Sequence, residues 1–203
     1  MDCKVIKLID FYNQLNSEFQ ISREEFSRDI LSKFTCGKNS DENDFLHNTV
    51  FVHEDSKKSV TYLMLKDNQI MAYFSLAIQM IELEGVSKNQ IKKVTQGTSP
   101  MKNTDGEKIY SSYLVGHFSK NDSNEERGFG DEMFEAVYRV LNQSQELVGG
   151  AIVYLDCLDE LITYYKKYGF KILVQSREIK TEDGKLTKTF NKMYRKIPLI
   201  EEQ

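Results

Sequence analysis

Two stretches of this 203-residue chain carry side chains and glycines at spacings suited to chemistry. The first, Tyr113–Met133, reads YLVGHFSKNDSNEERGFGDEM. An apolar strand pattern runs through Phe118, Ser119 and Lys120 into a polar loop, then into Arg127-Gly128-Phe129-Gly130-Asp131 at a helix start. Glycines let a backbone come close to an anion, and the first turn of a helix presents unpaired N–H groups and a positive dipole end. That combination suits a phosphate. Taken alone it also describes an ordinary tight turn at a helix start. The second stretch, Leu161–Phe170, reads LITYYKKYGF, with Tyr165 four residues before Gly169. A phenol can give or take a proton, although a tyrosine at helical spacing is more often a core residue. His117, Glu82 and Glu84 are further groups able to accept a proton. The plainer reading of each is a solvated strand or loop residue. His47 and His53 read as surface residues. Cys157 follows an apolar strand with no histidine nearby in sequence, which argues against a covalent cysteine mechanism.

The elements that position these groups can be read from periodicity. Val5, Leu8, Ile9, Tyr12 and Leu15 form a helical stripe, with a short strand over Cys3–Leu8 as the rival reading. Ser22 and Glu25 have the form of a capping box before a helix that buries Phe26, Ile30, Leu31 and Phe34. The polar run Gly37–Asp44 reads as a loop, followed by a short helical turn near Asp44–Asn48. Val60–Leu65 and Gln69–Gln79 predict a hairpin through Lys66-Asp67-Asn68. Ser87 caps a short helix through Lys93, and Gln96–Lys108 reads as a loop. Strands are expected at Tyr110–Ser119, Ala151–Leu155, Phe170–Val174 and Thr189–Arg195. A helix follows the Gly128 loop, with Met133, Phe134, Val137 and Leu141 inward, and Leu158, Leu161, Ile162 and Tyr165 mark the next helix. Asp183-Gly184 signals a hairpin that offers a route to a second subunit and leaves a homodimer open.

Composition bounds the partners. A formal charge of -4 and a pI near 5.5 argue against binding nucleic acid through bulk charge. Three cysteines at scattered positions give neither a metal knuckle nor a redox pair, so no metal is expected. The sequence shows neither a signal peptide nor an apolar run of membrane-spanning length, which predicts a cytoplasmic protein that binds no membrane.

The Tyr113–Met133 stretch resembles the acetyl-CoA site of the GNAT superfamily of N-acetyltransferases. There a strand ending like G-R-L-A-V-D precedes Q/R-x-x-G-x-G/A; here Gly116–Asn121 falls on the strand end and Glu125–Gly130 on the loop. Both glycines match, while Glu125 stands where the family has Gln or Arg. Leu161–Phe170 is similar to the family's A-x-x-F-Y-x-x-x-G-F segment, with Tyr165 on its tyrosine. Leu158 and Leu161 replace the usual Asn and Ala. Phe34-Thr-Cys-Gly-Lys38 with Phe45-Leu46, and Met71–Ala77, resemble segments of a subgroup that includes toxins acetylating aminoacyl-tRNA.

The resemblance implies an α/β (α+β) GNAT fold: a central mixed, twisted sheet of about six to seven strands with helices on both faces. It implies one domain over 1–203, with residues 1–33 as an extension and 110–170 as the acetyl-CoA-binding core. The backbone of Phe118, Ser119 and Lys120 would pair with the pantetheine arm. The amides of Arg127, Gly128, Phe129, Gly130 and Asp131 would hold the pyrophosphate. Tyr165 would return a proton to the departing thiolate, and His117, Glu82 or Glu84 would deprotonate the acceptor. The implied activity is acetyl transfer from acetyl-CoA to a primary amine of a small molecule or protein. Two rivals stand beside it: a toxin acting on charged tRNA, for which Lys57, Lys58, Lys88, Lys92 and Lys93 are candidate contacts, and a non-catalytic acyl-CoA-binding regulator.

Overall fold

A computed structural model describes residues 3–125, 128–180 and 186–199. The chain opens with strand β1 (Lys4–Lys7) and helix α1 (Leu8–Phe19), so both readings of the first stripe hold in succession. Helix α2 (Arg23–Asp29) begins at Ser22 with the expected capping box. The Ser22 hydroxyl accepts from the Glu25 N–H at 3.2 Å, and the Glu25 carboxylate accepts from the Ser22 N–H at 2.7 Å. A 3-10 turn (Leu31–Lys33) leads to α3 (Ser40–Asp44), a π turn (Phe45–Thr49) and α4 (Val50–Asp55). The loop expected over Gly37–Asp44 is therefore helical from Ser40 onward. Asn39 caps α3 by accepting from the Asp41 N–H.

Strands β2 (Val60–Lys66) and β3 (Gln69–Glu82) form the expected hairpin. Asp67 and Asn68 turn it with φ of 50° and 61°, the left-handed pair that a two-residue turn requires. Helix α5 (Lys88–Val94) is capped by Ser87. A small strand β4 (Met101–Lys102) pairs with β5 (Lys108–Lys120) inside what reads as a loop in the sequence. Then come α6 (Phe129–Val148), β6 (Ile152–Leu158), a 3-10 turn (Asp159–Leu161), α7 (Ile162–Lys167), β7 (Lys171–Lys180) and β8 (Leu186–Lys196). Leu158 belongs to the end of β6 rather than to the following helix. The Asp183-Gly184 hairpin lies outside the described residues.

The strands form one mixed sheet of eight in the order β1-β2-β3-β5-β6-β8-β7, with β4 on β5. β1–β2, β2–β3, β4–β5, β6–β8 and β7–β8 pair antiparallel, and β5–β6 pairs parallel. Packing divides the chain into a first unit of residues 1–77 and 116–137 and a second of 78–115 and 138–203. The first has a core of Leu8, Phe11, Phe26, Leu31, Phe34, Phe45, Leu46 and Tyr73, rich in edge-to-face rings. In the second, Ile81, Val94, Tyr110, Ile152, Tyr154, Leu173 and Tyr194 pack together. Among the described residues no helix is long and apolar enough to cross a membrane.

Candidate acyl-CoA site

The end of β5 and the start of α6 lie in the first unit. Asn121, directly after β5, anchors this corner and is 4% exposed. Its amide donates to the Ile70 carbonyl at 2.8 Å, its backbone N–H donates to the Met71 carbonyl at 2.9 Å, and its side-chain oxygen accepts from the Ser123 N–H at 3.1 Å. Asp122 adds a second clamp: its carboxylate accepts from the Gly37 N–H at 2.7 Å, and its own N–H donates to the Thr35 carbonyl at 2.8 Å. The strand end is thereby fixed at both side chain and backbone before the loop begins.

Gly128 has φ +78°, a conformation L side chains rarely adopt, and the Asp131 N–H closes a turn on the Gly128 carbonyl at 2.8 Å. The nearest atom to a Cβ built there is an Asp131 carboxylate oxygen at 4.0 Å, so the space over the turn is open. Phe129 is 1% exposed and fastens the first turn of α6 into the core. Phe118 packs its ring on Phe134 of α6 at 4.6 Å. Ser119 is buried, and the Lys120 ammonium donates to the Asn124 carbonyl at 2.5 Å. Glu125, the departure from the family pattern, is exposed. Arg127 lies outside the described residues. These main-chain positions fit a pyrophosphate: a helix start, a glycine in the left-handed region, and clear space above it.

The ladder between β5 and β6 registers Ser112↔Ile152, Tyr113↔Val153 and Leu114↔Tyr154, and β5 runs on to Lys120. On the side of β3 the same stretch is held by the His117 N–H, which donates to the Ser75 hydroxyl at 3.0 Å.

Tyr165 lies in the second unit, in α7, and is 7% exposed. Its ring meets Phe170 edge-on at 6.0 Å and Tyr164 at 5.2 Å. The turn after α7 closes on the Tyr165 carbonyl, which accepts from the Tyr168 and Phe170 N–H groups at 3.0 and 3.2 Å. Gly169 has φ +80°, and a Cβ there would sit 3.3 Å from the Arg195 guanidinium. That guanidinium donates to the Tyr168 carbonyl and to the Tyr138 hydroxyl, the latter at 2.9 Å, tying α7 to β8 and α6.

The base candidates separate. Glu82 ends β3, which runs three residues beyond the Gln79 expected, and is exposed. The Glu107 charge beside it pushes its carboxyl above the usual range. Glu84 follows in a turn. His117 stands elsewhere, in the first unit, with its Nδ1 3.2 Å from a Glu42 carboxylate oxygen and its ring stacked on Phe45 at 3.6 Å. Glu42 carries no motif in sequence; it sits in the polar run that reads as loop. His47 and His53 are half-buried rather than superficial: His47 Nε2 lies 3.0 Å from the Phe34 carbonyl and His53 Nδ1 3.3 Å from the Ser59 hydroxyl. The Cys157 thiol is 3% exposed, and burial pushes it up to about 11, so it holds its proton. Among the described residues no cluster of three or more His, Cys, Asp or Glu could hold a metal.

No family model matches the chain, and no curated protein matches it in sequence. Solved structures do. A structure of AtaT complexed with acetyl-methionyl-tRNAfMet superposes with a TM-score of 0.67 at 20% identity, over 96% of this chain and 95% of that one. A mutant of KacT gives 0.65 at 17% identity over 97% and 96%, and AtaTR bound with acetyl-CoA gives 0.61 at 18% over 97% and 94%. The chain has the GNAT fold. At these identities the likeness shows the fold alone. Among the described residues the strands number eight, against the six to seven expected, with β4 lying off the main path of the sheet.

Proposed function

We propose that this chain is an acetyl-CoA-dependent N-acetyltransferase whose acceptor is the α-amine of an amino acid esterified to tRNA. The observation that carries the reading is a likeness end to end, at a TM-score of 0.67, to AtaT in complex with acetyl-methionyl-tRNAfMet. It favours charged tRNA over the small-molecule or protein amine that the motifs alone place first. AtaT has also been solved with the C-terminus of an antitoxin, AtaR, and by the same likeness a protein partner belongs to this proposal.

Acetyl-CoA supplies the acetyl thioester. The amides of Gly128, Phe129 and Gly130 donate to its pyrophosphate, aided by the dipole of α6, while the Asp131 N–H closes the turn. The edge of β5 at Phe118, Ser119 and Lys120 aligns the pantetheine arm as an added strand. An N–H near Ser119 polarises the thioester carbonyl. Tyr165 gives its proton to the departing sulfur; a thiol pKa of about 8.5 against about 10 for a phenol makes that transfer close to balanced. An α-amine, with a pKa of about 7.7–8.0, is easier to deprotonate than a lysine and suits a reaction near neutrality.

Radiolabelled acetyl-CoA incubated with total aminoacylated tRNA, with the same tRNA stripped of amino acids, and with polyamines and peptides tests the proposal. Label on charged tRNA alone is the expected result. Label on free amines with none on charged tRNA overturns it.

A further inference from the structure

The first unit contains a network that the acyl-CoA site does not use. Glu42 of α3, Tyr73 of β3 and His117 of β5 meet at one carboxylate oxygen. The Tyr73 hydroxyl donates to Glu42 Oε2 at 2.5 Å and lies 2.8 Å from the Glu42 carbonyl. Burial and the adjacent carboxylate push the Tyr73 phenol far above its ordinary value, so it keeps its proton and serves only as a donor to Glu42. The second donor to that oxygen is His117 Nδ1 at 3.2 Å. A carboxylate can only accept, so the proton sits on Nδ1 and the lone pair on Nε2. Phe45 stacks on the imidazole at 3.6 Å and 14°, fixing the ring plane. The His117 side chain keeps 24% of its surface exposed, while Glu42 keeps 14%. The ring is thus oriented from behind by a shielded carboxylate while part of it still meets solvent.

We propose that His117 accepts the proton of the acceptor amine through Nε2, with Glu42 as its positioning residue and Tyr73 holding Glu42 in turn. The proposal rests on the acyl-transfer reading above and adds the base that reading lacks. The amine nitrogen forms a bond to the acetyl carbon of the thioester and the carbon–sulfur bond breaks. The proton lost by nitrogen goes to His117, and the thiolate takes a proton from Tyr165. The carboxylate stabilises the imidazolium so formed, as a carboxylate behind a histidine does in other acyl transfers. His117 lies on the strand that ends in the phosphate turn, eleven residues before Gly128.

The test compares His117→Ala and Glu42→Gln with the wild type, using labelled acetyl-CoA and total aminoacylated tRNA, with circular dichroism and acetyl-CoA titration as controls. His117→Ala is expected to bind acetyl-CoA normally and to lose roughly 10²–10⁴-fold in kcat, and added imidazole to recover part of the loss. Glu42→Gln keeps the shape but removes the charge behind the ring. It is expected to lower kcat at least about tenfold while KM for acetyl-CoA stays unchanged. A His117→Ala rate within twofold of wild type overturns the proposal. So does a folded, cofactor-binding His117→Ala enzyme that imidazole cannot rescue, or a Glu42→Gln kcat within twofold of wild type. If the wild type labels no charged tRNA at all, the acyl-transfer reading itself falls, and the base falls with it.

Discussion

Tyr165 shows how far a single side chain can be argued. It sits in a six-residue helix whose end is fixed by Gly169 and by the Arg195 guanidinium, so the phenol has little freedom. Tyr165→Phe removes one oxygen and leaves the ring packing on Phe170. Turnover on charged tRNA should fall roughly 10²–10⁴-fold, with acetyl-CoA affinity and thermal midpoint unchanged. A variant that kept wild-type kcat would remove the phenol from the reaction. Glu54 poses a different residue-scale question. It is 6% exposed, its carboxylate accepts from the Thr61 N–H at 2.6 Å, and burial raises its pKa. A raised folded pKa means the charged form is the costly one. The contribution of Glu54 to stability is therefore present at low pH and lost as pH rises through the folded value. Glu54→Gln should be the more stable protein at neutral pH in urea titrations, and the gap should close as the medium is acidified. A gap that widened in acid would contradict the sign.

At the scale of elements, what the sequence reveals depends on whether the signal is local. The Ser22 capping box, the Asp67-Asn68 turn and the apolar face of α6 are set by residues within a few positions of one another, and all three are visible in the chain. Strands β2, β3, β5 and β6 show their β-branched and aromatic runs. What escapes is the Glu42–His117–Tyr73 network, whose members lie 75 and 31 residues from Glu42 in sequence. Its carboxylate belongs to α3, a polar stretch with no apolar period, which forms a helix through the Asn39 cap and the burial of Phe45 and Leu46 just after it. His53 and His47 are legible only as polar residues, because their partners are the Ser59 hydroxyl and a backbone carbonyl. Two predictions belong here. Ser22→Ala removes a cap whose loss typically costs about 1 kcal/mol, readable as a lower urea midpoint with unchanged slope. Gly128→Asp places a carboxylate and a Cβ at φ +78° where α6 begins. It should weaken acetyl-CoA binding at least about tenfold by calorimetry, through strain and like-charge repulsion. Undiminished affinity would mean that the turn does not hold the pyrophosphate.

At the scale of the whole molecule, the proposed charged-tRNA acceptor requires a chain of net charge -4 to meet phosphates through local cations rather than bulk charge. Helix α5 offers one such site: Lys88, Lys92 and Lys93 are all exposed on seven residues, and the helix has no acidic residue in its first turn. Lys57 and Lys58 are exposed just after α4, in the other unit. Counterion release makes the outcome quantitative, because each phosphate that a lysine no longer neutralises lowers the slope of log affinity against log salt by about 0.7–0.9. Replacing Lys88, Lys92 and Lys93 together with Ala should raise KM for charged tRNA and reduce that slope by about two, while acetyl-CoA affinity stays unchanged. The same substitutions at Lys57 and Lys58 measure the first unit independently. If neither set alters KM or its salt dependence, the RNA is held by other residues, and α5 has no part in substrate recognition.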